Sequence, residues 1–206
     1  MDNVFSFIKK SRPKLKAGDY FYYHINNKNY LGVIIHTHLQ KNLKENTAVV
    51  CLFLDYTFDD VKDISTETII KKILDRDLLM PPIIINKRGW THGFFCNIGC
   101  IELDILQPTL AECRFSTNGG GYMYDFLNYV PVKDATYGKL IGTTGLYTYE
   151  GVESLLEISL DLDFNPAVPH GSWYDPYRYY DDIMKKYPSV ELPYWYYKAA
   201  KRLKNK

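Results

Sequence analysis

Cysteine is scarce in this chain, with 4 among 206 residues, too few to staple a protein of this size through a disulfide framework. Neither charge is in excess: 25 Lys and Arg stand against 24 Asp and Glu, a net charge of +1. That balance argues against a protein whose affinity rests on many phosphate contacts along nucleic acid. No run of apolar residues approaches the roughly 20 needed to span a bilayer as a helix. Between Met1 and Gly18 a short apolar group (Val4, Phe5, Phe7, Ile8) precedes Lys9, Lys10, Arg12, Lys14 and Lys16, the reverse of a secretory signal's order. These absences predict a cytoplasmic protein with reduced thiols. What is present is ordinary globular composition, 46% apolar and 24% charged, with one excess: 19 Tyr beside 10 Phe and 3 Trp. The apolar share is too high for a disordered chain, and the length suffices for one domain with its own core.

The pattern along the chain predicts strands first. Asp19 to Ile25 and Tyr30 to His38 are rich in strand formers, and Asn26 to Asn29 between them tolerate positive φ, so Lys16 to His38 reads as a hairpin. Gly32 inside the return strand signals a bulge or a close backbone approach. Thr47 to Leu54 is a continuous apolar run, suited to a strand buried on both faces. Asp55 to Asp63, with four Asp, reads as a loop. Ser65 to Thr68 opens a helix expected to reach Leu79, with Ile69, Ile70, Ile73, Leu74 and Leu78 at helical spacing. Ile83 to Ile85 and Gly89 to Ile98 read as strands joined by a basic turn, and Glu102 to Leu106 alternates up to Pro108. The three glycines at Gly119 to Gly121 are the best boundary, dividing a β-rich core (1–115) from an aromatic-rich extension (116–206) expected to pack on it. Tyr122 to Pro131 is strand-like, and Tyr149 to Leu160 places Val152, Leu155, Leu156 and Leu160 on one helical stripe. Asp175-Pro176 and Pro193 open two further helices, ending near Tyr187 and Lys204. The expected class is α+β: a small twisted antiparallel sheet or partly open barrel with flanking helices and a helical C-terminal extension.

The segment Lys16-Ala-Gly-Asp-Tyr-Phe, followed after a turn by Tyr30-Leu-Gly-Val-Ile and later by Gly89-Trp90, resembles the bacterial immunity protein 26 family. The resemblance spans about Lys16 to Phe115 and its motifs are short. It implies a small β-rich domain that binds and blocks a cognate toxin of interbacterial competition, with no catalytic residues and no cofactor. In that light Gly18, Asp19, Gly32, Gly89 and Trp90 are architectural, Gly18-Asp19 making a tight turn into a strand and Trp90 filling the core.

Other constellations are incomplete. His92, Cys96, Cys100 and Cys113 lack the close ligand pairs of structural zinc, and on a strand the first three spread over about 27 Å, so buried thiols are the expectation. His36 and His38 share a strand face without a third ligand, and His24 and His170 have no triad companions nearby in sequence. Asn118 to Tyr122 and Gly142 to Gly145 lack the residues that complete a phosphate loop. Asp55, Asp59, Asp60 and Asp63 lack the glycine and terminal glutamate of a calcium loop.

Charge placement says more. From Glu102 to Asp163 there are ten acids against Arg114, Lys133 and Lys139, while both chain ends are basic. Acids together with aromatics suit a basic partner, such as a nuclease toxin. The expected partner-binding residues are Asp59, Asp60, Asp161, Asp163, Tyr174, Tyr177 and Tyr180, since Tyr brings large area at small entropy cost. A membrane or nucleic acid is not expected as partner. Two alternatives stay open: a small-barrel nucleic-acid module using basic ends and aromatics, and a hydrolase or transferase whose acids, such as Asp59 with Glu102 or Asp104, meet only in the fold.

Overall fold

The computed structural model describes residues 4–37, 48–80, 82–111, 113–116, 123–125, 131–132, 140–143 and 145–160. Its centre is a mixed sheet of six strands: β1 (Asp19–Ile25), β2 (Lys28–His36), β3 (Ala48–Phe58), β4 (Ile83–Asn86), β5 (Phe95–Cys100) and β10 (Leu146–Tyr147), in the order β10-β4-β3-β2-β1-β5. The sheet does not close, so the α+β class is realised as an open twisted sheet. All its pairs are antiparallel except β10 on β4. Four further short strands, β6 (Cys113–Ser116), β7 (Met123–Asp125), β8 (Pro131–Val132) and β9 (Leu140–Thr143), form a second sheet ordered β8-β7-β6-β9. No helix among the described residues is long and apolar enough to cross a membrane.

The strand β3 shows why the sheet is central. Alternate residues point to opposite faces, and here both sets are buried. Val50, Leu52 and Leu54 join one core, while Val49, Cys51 and Phe53 join another. The first core is roofed by α1 (Thr66–Leu74) and by α3 (Gln107–Leu110), through Ile69, Ile73 and Leu110. The second is roofed by α2 (Arg88–His92), by α4 (Tyr149–Ser159) and by the N-terminal segment, through Trp90, Val152, Leu155, Phe5 and Leu15. The result is three layers, helix on sheet on helix.

Local chemistry sets the element ends. Asn26 and Asn27 adopt φ of 50° and 57°, the geometry of a two-residue turn whose twist matches a hairpin. Ser65 caps α1, its side chain accepting from the Thr68 N–H at 3.1 Å. Hydrogen bonds at this N-terminus, first from its own backbone and then from Ser65, hold the Glu67 carboxyl below its ordinary range.

Several expectations need correction. The helix stops at Leu74, not Leu79, because Arg76 turns left-handed (φ 59°) and Leu78 returns to bridge Leu54. Asp55 to Phe58 continues β3 and is not a loop; the chain leaves the sheet at Asp59 and makes a single 3-10 turn, Val61–Asp63. Gly89 and Trp90 lie in α2, not a strand; Gly93 ends that helix at φ 93°, and the Phe94 N–H returns to the Gly89 carbonyl. Glu102 to Leu106 makes no strand, and Pro108 sits in the first turn of α3, where its missing N–H costs nothing. The helices expected from Asp175 and Pro193 lie outside the described residues.

Candidate protein interface

Two of the seven expected partner-binding residues are described. Asp59 and Asp60 are neighbours, both exposed, where the chain leaves β3. Asp161, Asp163, Tyr174, Tyr177 and Tyr180 lie outside the described residues. Asp60 caps the 3-10 turn by accepting from the Lys62 N–H at 2.9 Å, which fixes its direction. Asp63 is exposed one turn further on, and Val61 between them is 40% exposed.

The hairpin tip holds this acidic segment in place. The Asn29 side-chain amide donates to the carbonyls of Phe58 and Asp59 at 3.3 and 3.4 Å, while its oxygen lies 2.9 Å from the His24 ring nitrogen Nδ1. Beside it runs an aromatic stripe. Tyr20, Tyr22 and His24 occupy alternate positions of β1, so they share a face, and each is half-buried. Tyr22 meets Phe58 edge-on at 6.2 Å, and Phe58 stacks on Tyr56 at 6.3 Å. Burial, with Cys96 nearby, raises the Tyr22 phenol above its ordinary range. The surface thus joins acids to partly covered rings, the composition of an interface centre with a charged rim. Lys28 and Lys62 are the exposed cations within it. Alternation of Tyr20, Tyr22 and His24 in the sequence carried the signal for this stripe, which the choice of the later tyrosines passed over.

The residues behind the family resemblance form a framework. Gly18 has φ 93°, and a Cβ there would stand 2.3 Å from the Ile101 carbonyl oxygen. Its own N–H bonds the Ile34 carbonyl, and its carbonyl accepts from Ile101. A Cβ on Gly32 would meet the Phe21 ring at 2.3 Å, and the pairing of β2 with β3 shifts register beside it. Trp90 is fully buried, and its indole N–H donates to Asn97 at 2.7 Å. Asn97 in turn donates to the Asp19 carboxylate at 3.2 Å, which also accepts from the Lys16 N–H at 2.9 Å. Asp19, Trp90 and the Gly18 turn are therefore tied together through one asparagine. Comparison with known protein families, curated proteins and solved structures finds no match.

The remaining constellations do not assemble. Glu102 follows Ile101, which bonds Gly18 at the start of β1. Asp59 sits at the other end, beside the turn that closes β1 and β2. A strand of this length spans about 20 Å, and Asp104, two residues beyond Glu102, recovers at most about 7 Å; these carboxylates are held apart. The acidic run after Glu102 also splits: Glu102 and Asp104 follow the first core, whereas Glu153 lies on α4 over the second. Its Oε1 accepts from the Phe5 N–H at 2.8 Å, and burial raises its carboxyl above the ordinary range.

His92 is on α2, against the Tyr149 ring at 5.1 Å, and so does not share a strand with Cys96 and Cys100. The register shift in the β1–β5 pairing further separates the two cysteines' faces. Cys51 is buried, but Cys96 is half-buried and Cys100 exposed, so the expectation of buried thiols holds only for Cys51 among these three. Burial raises the thiols of Cys51 and Cys100, the latter helped by Asp19, which lowers their thiolate fraction and nucleophilicity. Among the described residues no three His, Cys, Asp or Glu side chains converge as metal ligands do.

Proposed function

We propose that this chain is an immunity protein of the toxin-neutralising kind, which binds a cognate bacterial toxin in the cytosol and occludes it without chemistry of its own. The observation that carries this reading is the exposed Asp59–Asp60 pair, set at the edge of the half-buried Tyr20, Tyr22 and Tyr56 stripe and pinned there by Asn29. Such a surface suits a toxin with a basic active-site face, because opposite charge speeds encounter and aromatic area supplies retention. The resemblance over Lys16 to Phe115 supports the same reading, since Gly18, Asp19, Gly32 and Trp90 occupy positions where a side-chain change disturbs the framework under that surface.

Co-expression with the product of the adjacent gene tests the proposal. Rescue from toxicity together with a complex that survives gel filtration is the expected result. Absence of both rescue and complex refutes it.

A further inference from the structure

A second surface lies on the other side of the sheet and is independent of the toxin reading. From Ser6 to Lys16 the chain runs without turn, bend or helix. It is strapped to the core by Phe5 and Leu15, which are buried, and by backbone bonds: Ser6 to His24, Ile8 and Lys9 to Gly93, and Ser11 to Trp90. Pro13 fixes its own φ and biases Arg12 towards extended geometry. In such a segment alternate residues face one way. Lys10, Arg12, Lys14 and Lys16 are exposed, whereas Ser11 and Pro13 are partly covered and Leu15 is buried. Four cations are therefore presented at alternate positions of a segment that spans at most about 20 Å. At the other end of the strap Phe7 is 64% exposed, the most exposed large apolar side chain among the described residues.

Nearby acids flank this row without forming an ion pair with it. Asp19 accepts from the Lys16 N–H and from Asn97, Glu153 accepts from the Phe5 N–H, and Glu150 faces Arg88 at 3.7 Å. None of the described carboxylates pairs with Lys10, Arg12 or Lys14. A linear row of cations matches a linear polyanion better than a planar one, and one exposed ring offers a stacking platform but too little apolar area to enter a bilayer. We infer that the strap binds the phosphodiester backbone of single-stranded nucleic acid, with Lys10, Arg12, Lys14 and Lys16 on phosphates and Phe7 stacked on a base. The near-neutral total charge, which argued against nucleic acid for the whole chain, conceals this local excess.

The test is fluorescence anisotropy of the full chain with a labelled oligo(dT) of about a dozen nucleotides. Three to four phosphate contacts predict a slope of log K against log salt of about −2 to −3, a loss of about 20- to 50-fold between 50 and 200 mM salt. A triple variant, Lys10→Ala with Arg12→Ala and Lys14→Ala, should flatten the slope by about 2. Phe7→Ala should weaken binding about 5-fold or more with the slope unchanged. The three cations are exposed, so the triple variant should keep the wild-type melting temperature, and Asp59→Asn with Asp60→Asn should leave the slope intact. Four outcomes overturn the inference: no binding to oligo(dT), a triple variant that binds like wild type, polyglutamate competing equally well, or phosphatidylserine vesicles retained where oligo(dT) is not.

Discussion

Replacing Asn97 by Ala removes the joint between a buried indole and a strand-opening carboxylate. Trp90 is fully buried, so losing its acceptor at 2.7 Å strands an N–H away from water, which costs about 1–3 kcal/mol. The bond from Asn97 to Asp19 is at 3.2 Å and partly open to solvent, so its loss adds less than about 1 kcal/mol. Together these give about 1–4 kcal/mol, a fall in melting temperature of about 2–16 °C for a domain of this size. Urea denaturation followed by tryptophan fluorescence measures it. In a Trp90→Phe background the indole N–H is gone, and the same Asn97→Ala change should then cost under about 1 kcal/mol. A cost below about 0.5 kcal/mol in the wild-type background, or the same cost in both, would refute the argued connection.

Gly18→Ala should destabilise by at least about 2 kcal/mol, because a left-handed φ and a carbonyl oxygen 2.3 Å from the new methyl act together; an unchanged denaturation midpoint would contradict this. Tyr23 is buried with a hydroxyl that has no hydrogen-bond partner among the described residues, so Tyr23→Phe should stabilise by about 1 kcal/mol, read as a melting point a few degrees higher. Glu153 has a folded-state carboxyl raised above its unfolded value. The folded state then holds its proton more tightly, and stability falls as pH climbs from the unfolded pKa through the folded one. Melting temperatures across the acidic range should show that fall in wild type and less of it in Glu153→Gln.

Much of the sheet was legible because its signals are local. The apolar run at Thr47 to Leu54 requires burial on both faces, and β3 supplies it; Asn26 and Asn27 take the positive φ that two-residue hairpin turns demand. The misreadings share a cause. Arg76 in a left-handed conformation carries no sequence mark, and it ends α1 because Leu78 and Leu79 return to β3. Gly89 and Trp90 have strand-like neighbours, yet packing of Trp90 among Phe21 and Phe95 and the Gly93 turn make them helical. At the candidate interface the acidic pair was readable as exposed charge. Its aromatic companions were not singled out, because the alternation of Tyr20, Tyr22 and His24 gains meaning only once Phe58 and Tyr56 are brought across β2.

In the proposed function Asp59 and Asp60 guide a basic toxin onto the tyrosine stripe. Stopped-flow association of the adjacent gene's product with wild type, and with Asp59→Asn and Asp60→Asn combined, tests it most directly. The expected result is an association rate several-fold lower for the variant, with weaker dependence on salt and a little-changed dissociation rate. Equal association rates and equal salt dependence would contradict it.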